Sequence, residues 1–563
     1  MPSLSRMQNK TRDPGSDGAA SPAWGEIVLA GALWAAFTVI VFQLRESFFV
    51  HETWLFGEPS WPLWVGDHLL KGGMIYRDAA YSYGVLSVWY LAAAAKIFGS
   101  TAHTVALFGV LPGAVGAASG MHFLRRSGVG TRMRWALWCL LVAPALWHAC
   151  TNTLAYQNIE LALVVTIFSF LSPVDERTRL AGFAAGVLLG LLNLTKFGSF
   201  LCAGLAIIAW DAIRAFSLRR DGSGIVSHFM DQVVKAELPV LFGFLAVELP
   251  RVIVSWFVFP PEIWREYAMF PLDLLGSYDT FGDPWAVVPW VREATWGYRI
   301  GTIGSRTLLM LLVACGAVVS LVRTARARGR PPAADGMVLL AALSFFVGFL
   351  FYYHHPDHVM VYSAPLIVPA VAMLARFKPL PRLFIAGILF ACTGGAVGGK
   401  LLLQKDGRVR VAMPNGETLW MKPKDKAVFE QVSAGVGAVL KDPAAGSTGT
   451  VVVWRAISAG WHHYMGWPEA SRHGYLIAPE WVRPYERDKV MNAFLNSSVH
   501  LVKLPADGDA LAVTDDPATW RTEEWLRVPP AMRQTFIDHL APPVKVETAA
   551  NCWLAFKPKP VKP

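Results

Sequence analysis

The chain has little charge for its length. Of its 563 residues only 16% are charged, whereas 54% are hydrophobic, and the mean hydropathy is +0.38. A soluble globular protein normally carries about 25% charged residues, so this composition excludes a soluble fold for most of the chain. Apolar runs of about 17 to 22 residues, long enough to cross the hydrocarbon core of a bilayer, recur along the first two thirds of the sequence. We therefore predict a multi-pass membrane protein.

Cysteine is scarce, and no cleavable signal is visible. The six cysteines lack the spacing of a metal site or a disulfide framework. Residues 1–24 are polar, and residues 27–44 form a full span instead of a short signal segment. The net charge of +10 does not indicate nucleic-acid binding, because the arginines lie in short connecting loops.

Loop charge sets the predicted topology. Residues 84–98 would reach only about 22 Å as a helix, which is short for a crossing. If this segment lies in the interface, the basic loops all fall on one side of the membrane. The positive-inside rule then favours about eleven spans, a cytoplasmic N-terminus and an outer C-terminus. The predicted spans are 27–44, 103–122, 135–150, 158–172, 181–194, 197–212, 237–259, 304–322, 336–353, 361–375 and 383–401.

Three regions follow from these patterns. Residues 1–24 are predicted to be disordered and cytoplasmic, and residues 25–401 to form an all-α polytopic membrane domain. Residues 402–563 change composition and predict a small soluble α/β domain on the outer side. Its predicted helices are Asp425–Leu440, Glu486–Asn496 and Ala531–Leu540, and its predicted strands are Val451–Trp454, Val499–Leu504 and Cys552–Phe556.

The first outer loop, residues 45–102, is acidic and aromatic. Carboxylates are costly near a bilayer core, so a cluster of them at its edge indicates a functional site. Within the loop, Trp61, Trp64, Val65 and Leu69 recur at helical spacing and predict an interfacial helix. Ser60 is placed to cap this helix, and Gly72 and Gly73 to end it.

Several motifs of this region resemble the GT-C superfamily of glycosyltransferases, which includes protein O-mannosyltransferases and aminoarabinose transferases. In the first loop they are Glu58-Pro59, Gly72-Gly73-Met74-Ile75-Tyr76-Arg77-Asp78, Tyr83-Gly84 and Ile97-Phe98-Gly99-Ser100. Asn193-Leu194-Thr195-Lys196 resembles the family's "LTK" element, and Tyr156-Gln157-Asn158-Ile159-Glu160 stands in the place of a second acidic element. Asp357-His358 resembles the polar turn before a late span. The usual Lys-Pro-Pro of the aminoarabinose-type members is replaced by Tyr81-Ser82-Tyr83-Gly84.

The resemblance implies a polytopic enzyme that works on the outer face. The implied donor is a sugar linked to polyprenyl phosphate, the first-loop carboxylate is catalytic, and transfer is a single displacement with inversion at the sugar carbon. The acceptor, a glycolipid, polysaccharide or protein, stays open, as does the sugar.

Chemistry alone selects the same residues. Transfer from a lipid phosphate to a hydroxyl or an amine needs a base for the acceptor proton, and Glu58 is the first candidate, followed by Asp67 and Asp78. It also needs cations that stabilise the charge growing on the departing phosphate. The candidate phosphate contacts are Lys196, His358, Arg77 and Arg299.

Other residues carry two interpretations. Asp78, Glu160, His355 and Asp357 are candidates for binding the acceptor or a divalent metal ion, and no other cofactor is indicated. Asp67 could instead pair with Lys71, and Lys196 could reach to the interface as a snorkelling side chain. Glu248 and Arg251, which flank Pro250, more simply form an ion pair within a kinked helix.

Two other functions remain open at this stage. A flippase or transporter of lipid-linked sugars would fit the spans, but transporters tend to show paired repeats, and no repeat is visible. A polysaccharide ligase that uses lipid-diphosphate glycans has a similar architecture. The predicted partners are the bilayer, the lipid-linked donor and an extracytoplasmic acceptor, in the inner (plasma) membrane.

Overall fold

The structure is a computed structural model that describes most of the membrane region and parts of the tail. The described residues are 23–51, 59–79, 81, 83–152, 155–171, 179–218, 234, 237–261, 263–264, 267, 305–326, 338–344, 363–398, 407–441, 450–454, 459–472, 490, 492–493, 497, 499–503, 534, 538, 544–547 and 552–556.

Helices dominate up to residue 398. They are α1 (Ala23–Leu44), α2 (Ser60–Leu70), α3 (Val85–Phe98), α4 (Ala102–Leu107), α5 (Val110–Arg126), α6 (Thr131–Leu137), α7 (Ala143–Asn152), α8 (Ala155–Leu171), α9 (Arg179–Asn193), α10 (Phe197–Leu218), α11 (Leu238–Val258), α12 (Ser305–Arg326), α13 (Ile367–Leu374) and α14 (Pro379–Gly398). A π-helical turn, Trp138–Val142, joins α6 to α7, and a 3₁₀ turn, Ala364–Leu366, precedes α13.

The described helices include three that are long and apolar enough to cross a bilayer. These segments are Trp24–Leu44, Ala102–Arg126 and Leu238–Val258. Shorter apolar helices cover most of the other predicted spans, and α3 is one of them. The chain is therefore a membrane protein with a mainly helical membrane region, while about eleven spans and an interfacial position for α3 stay predictions.

Different parts of the chain contact the two ends of α1. At its first turn Glu26 accepts two hydrogen bonds from the guanidinium of Arg134, at 3.0 and 2.6 Å. Just beyond its last turn, Glu46 pairs with Arg410 at 2.8 Å, and the backbone N–H of Trp420 donates to the carbonyl of Val50. The helix between them is about 33 Å long at 1.5 Å per residue. The basic 125–134 region and the tail therefore lie at opposite ends of α1.

Helices α9 and α11 pack closely against each other. A Cβ on Gly186 would lie 2.0 Å from the carbonyl oxygen of Val240, and one on Gly243 would lie 2.0 Å from that of Phe183. Only glycine permits such an approach of two helix backbones, as small residues do in membrane helix pairs. The packing places Asn193, the last residue of α9, beside Glu248 of α11.

The tail contains six strands and two further helices among its described residues. The strands are β1 (Val409–Ala412), β2 (Thr418–Met421), β3 (Val451–Trp454), β4 (Val499–Lys503), β5 (Val544–Glu547) and β6 (Cys552–Phe556), and the helices are α15 (Pro423–Lys441) and α16 (Ala459–Met465). β1 and β2 form an antiparallel hairpin. The other strands form one sheet in the order β3-β4-β6-β5, in which only β3 and β4 run parallel. The strands predicted near residues 451, 499 and 552 are all present.

Helix α2 begins differently from the prediction. Pro59 occupies the N-cap and Ser60 is the first helical residue, so the predicted Ser60 cap is wrong. The other end is as predicted: Gly72 adopts a φ of +86°, a left-handed conformation that suits glycine after a helix. Trp61, Trp64 and Val65 are buried, as expected for the apolar face.

Candidate active site

Backbone hydrogen bonds join the first loop to the Asn193–Lys196 element. The N–H of Gly84 donates to the carbonyl of Thr195 at 3.1 Å, and the N–H of Leu86 donates to that of Leu194 at 2.9 Å. A Cβ at position 84 would lie 2.0 Å from the Leu194 oxygen. Glycine is therefore required here, because any side chain would break the junction. Two motifs that are far apart in sequence thus form one unit.

Lys196 lies at the centre of this unit. Its side chain is buried, with 6% of the residue exposed, and its Nζ lies 5.3 Å from the ring centroid of Tyr156 and 5.9 Å from that of Tyr83. The two tyrosine rings stack on each other, 4.1 Å apart with an interplanar angle of 27°. Aromatic faces attract a cation, most strongly where water is excluded. The rings therefore hold the ammonium group in a fixed position at the end of α9.

A buried carboxyl group, that of Glu160, lies near Tyr156 in the chain. Glu160 follows Tyr156 by one turn of α8, and Ser199 follows Lys196 by one turn into α10. The hydroxyl of Ser199 donates a hydrogen bond to Oε1 of Glu160. Both residues line a cavity of about 20 Å³ whose other walls are mostly apolar, a volume sufficient to hold one water molecule. The site thus brings a carboxyl group and a lysine side chain into one buried region.

The Tyr76-Arg77-Asp78 turn is organised by its own carboxylate. Asp78 accepts the N–H of Met74 at 2.7 Å and two hydrogen bonds from Arg77 at 2.9 and 2.6 Å. The bond and charge of Arg77 hold the pKa of Asp78 below its usual value. Tyr76 has a φ of +67° and donates from its hydroxyl to the carbonyl of Tyr83 at 3.1 Å. The turn therefore contacts the tyrosine pair, and Arg77 is engaged with its neighbour.

Asp67 contacts the tail. Its Oδ2 lies 2.7 Å from Nδ1 of His463, and its Oδ1 accepts a hydrogen bond from Ser100. Burial raises the pKa of Asp67, but His463, Ser100 and the charge of Lys71 outweigh it and leave the pKa below its usual value. A carboxylate with a lowered pKa is a weak base near neutral pH. These contacts favour a structural role for Asp67.

A second charged pair lies next to the Asn193–Lys196 element. Arg251 pairs with Glu248 at 2.5 Å, as the sequence indicated, and Glu248 also accepts a hydrogen bond from Asn193 at 2.9 Å. The guanidinium carbon of Arg251 lies 4.7 Å from the ring centroid of Tyr267. The bond to Glu248 therefore joins Asn193, three residues before Lys196, to α11.

Five candidates fall outside the described residues: Glu58, Arg299, His355, Asp357 and His358. Their roles stay predictions, and so does the divalent metal ion for which His355 and Asp357 are candidate ligands. Within the described part of the chain, no group of three or more His, Cys, Asp or Glu side chains is arranged to hold a metal ion.

Sequence reasoning missed two features of this region. The first is the stacking of Tyr83 on Tyr156 around Lys196. Both tyrosines belonged to motifs that were recognised, yet nothing in their spacing shows that they meet. The second is His463, whose partners lie in the first loop and in the β1–β2 hairpin. No local pattern marks it.

The helical region and the tail together form a fold that is also seen in solved structures. Two solved structures share this fold, and both are of ArnT, an aminoarabinose transferase from Cupriavidus metallidurans. The structure bound to undecaprenyl phosphate aligns with 93% of this chain and 97% of its own at a TM-score of 0.54 and 13% identity. The apo structure aligns with 95% of this chain and 98% of its own, at a TM-score of 0.52 and 14% identity.

Neither the protein-family models nor the curated proteins match the sequence. The structural likeness confirms, at the level of the fold, the GT-C resemblance inferred from the first-loop motifs.

Proposed function

We propose that the protein is an integral membrane glycosyltransferase that moves a sugar from a polyprenyl-phosphate donor to an acceptor on the outer side of the inner membrane. The observation that carries this proposal is a buried cation, Lys196, held by Tyr83 and Tyr156 in a chain with the fold of ArnT. ArnT has been crystallised with undecaprenyl phosphate. A lipid phosphate is the anion that such a site at a membrane edge would receive.

In the proposed reaction an acceptor oxygen or nitrogen attacks the anomeric carbon of the sugar. The bond from that carbon to the phosphate oxygen breaks, and its electron pair leaves with the polyprenyl phosphate. Glu58 takes the acceptor proton. Lys196 contacts the phosphate and stabilises its growing charge, with Arg299 and His358 as further candidates. Inversion at the sugar carbon follows from the single displacement.

Glu58 is the favoured base because of where it stands in the chain. It immediately precedes Pro59, which is buried at the start of α2. Among the first-loop carboxylates with described contacts, Asp67 pairs with His463, and Asp78 pairs with Arg77.

The remaining roles follow from this placement. Asp78 and Glu160 stay candidates for the acceptor or for a divalent metal ion, as do His355 and Asp357. The tail, as a small α/β domain, would lie outside the cytoplasm with the first loop, and the N-terminus would be cytoplasmic.

The test is a transfer assay with purified protein in lipid nanodiscs. Wild type incubated with a polyprenyl-phosphate sugar and an envelope extract as acceptor is expected to release polyprenyl phosphate. Glu58→Gln should abolish the release, because the amide cannot take the proton. Glu430→Gln, at an exposed position of α15, should leave the release unchanged. Release by Glu58→Gln at the wild-type rate would remove Glu58 from the mechanism. Movement of the lipid across vesicles without sugar transfer would replace the proposal with a flippase.

A further inference from the structure

Two histidine–carboxylate pairs fasten the tail to helix α2. Helix α16 of the tail packs against α2, and His463 on α16 faces Asp67 on α2. One residue further along α2, His68 lies 3.2 Å from Glu469, and Glu469 also accepts a hydrogen bond from the indole of Trp64. The contact therefore has one polar pair on α16 and another just beyond its end, and it joins parts of the chain about 400 residues apart.

His463 holds the more buried of the two contacts. Its side chain is 7% exposed, and its ring bridges two carboxylates: Nδ1 lies 2.7 Å from Asp67, and Nε2 lies 3.1 Å from Glu417. An ionised carboxylate only accepts hydrogen bonds, so both ring nitrogens must donate. A histidine with two donating nitrogens is the imidazolium cation. The bridge is thus a buried cation between two anions.

The surroundings support that charge state. The charged or titratable groups around the imidazole are Asp67 from α2, Glu417 from the β1–β2 turn, and Tyr464 beside it on α16. Lys71, which follows α2, acts on Asp67. Burial lowers the pKa of His463, but its bonds to Asp67 and Glu417 raise the pKa to about 9. Glu417 is itself fixed by the N–H of Ala102 at 2.5 Å.

We propose that His463 is a positioning residue for the transferase site: by bridging Asp67 and Glu417 it locks the tail onto α2, the helix whose Trp61 contacts Tyr83 beside Lys196. The proposal rests on the proposed function. Because the ring centroids of Trp61 and Tyr83 lie 5.9 Å apart, an α2 that moves by an ångström also moves the stacked tyrosines that hold Lys196. A displacement of about 1 Å can cost a hundredfold in rate.

The lock has a defined pH range. A histidine whose pKa rises on folding contributes its full stabilisation below its ordinary value of 6.5, and this is lost as the pH rises through about 9. Turnover by the wild type should therefore fall as the pH passes about 9, when the imidazolium loses a proton and one of its two bonds.

The experiment compares wild type with His463→Gln, Glu417→Gln and a control, Lys426→Gln, which removes an exposed ion pair on α15. Hydrogen exchange of peptides from α2 and α16 measures docking without reference to activity. Turnover is measured with saturating polyprenyl-phosphate sugar across pH 6 to 10, and KM is measured at neutral pH. For both bridge variants we expect faster exchange in α2 and α16, kcat lowered about tenfold or more, and KM within about threefold. The fall in activity near pH 9 should vanish in His463→Gln and move to lower pH in Glu417→Gln, where the imidazole keeps only Asp67. The control should match wild type throughout.

The outcomes separate the two proposals. If wild type turns over none of the polyprenyl-phosphate sugars, the proposed function is overturned, and with it this role for His463. An active wild type with unchanged kcat in His463→Gln and Glu417→Gln overturns only the positioning role, and faster exchange in that case marks the bridge as merely structural. A lowered kcat with unaltered exchange also contradicts it, because His463 would then act without holding α2.

Discussion

The rings of Tyr83 and Tyr156 stack 4.1 Å apart beside the ammonium group of Lys196, although one ring belongs to the first loop and the other to α8. Three segments thus meet at one cation: the loop before α3, the first turn of α8 and the end of α9. The junction depends on the backbone bonds between Gly84 and Thr195. The proposed donor site is therefore built by long-range contacts.

Removal of the aromatic ring at position 156 should weaken the site. Tyr156→Leu keeps an apolar side chain but removes the π face next to Lys196, and such contacts are worth about 0.5 to 2 kcal/mol. We expect turnover with a polyprenyl-phosphate sugar to fall about threefold to thirtyfold. Tyr156→Phe keeps the face and should stay near wild type. Equal loss in both variants would assign the effect to the hydroxyl instead.

A methyl group at Gly84 should destabilise the junction. In Gly84→Ala the new Cβ would meet the Leu194 oxygen at 2.0 Å, so the two backbones must separate and lose their hydrogen bonds. Destabilising substitutions typically cost about 0.5 to 3 kcal/mol, so the melting temperature of the purified protein should fall by several degrees. Gly204→Ala in α10, where a Cβ meets nothing within 4 Å, is the matched control. A Gly84→Ala protein as stable as wild type would refute the close approach.

The tail should detach from the first loop at both low and high pH, because a different side chain titrates at each limit. The pKa of Asp67 is lowered on folding, so its contribution is present above its ordinary value and is lost as the pH falls below about 4. That of His463 is lost as the pH rises through about 9. Protease cleavage of the tail, followed against pH, should show two limits of protection. In Asp67→Asn the acid limit should shift, and an unchanged limit would assign it to other carboxylates.

The C-terminus should face away from the cytoplasm. The tail contacts the first loop at one end of α1, while the basic 125–134 region contacts α1 at the other end. Since basic loops stay inside, alkaline phosphatase fused after Pro563 should be active in cells, and a green fluorescent protein fused there should not fluoresce when exported unfolded. If the green fluorescent protein fusion fluoresced and the phosphatase fusion were inactive, the C-terminus would be cytoplasmic. That result would contradict the proposed outer site.

Sequence patterns predicted the parts that depend on local chemistry. Helix α1, helix α15 and the strands β3 and β6 follow hydropathy and periodicity, and all lie where expected. The Ser60 cap was wrong because the preceding Pro59 takes the N-cap position, a competition that capping preference alone does not decide. Residues at the candidate site were recognised one motif at a time.

The contacts between motifs could not be predicted in the same way. Hydropathy gives the face of a helix but not its partner, so the stacking on Lys196 and the bridge from His463 to Asp67 were hidden. A polar residue such as His463 on a short helix of the tail looks like any solvated histidine until its neighbours in space are known. Such pairings depend on the whole chain.

The most direct measurement of the central claim is native mass spectrometry of the purified protein with polyprenyl phosphate. The account predicts a one-to-one complex with wild type and with Lys96→Met, which removes an exposed lysine of α3. In Lys196→Met, which keeps the bulk but lacks the charge, binding should weaken about tenfold or more, as expected for loss of a charge-assisted contact. Equal binding of polyprenyl phosphate by Lys196→Met and wild type would contradict the account.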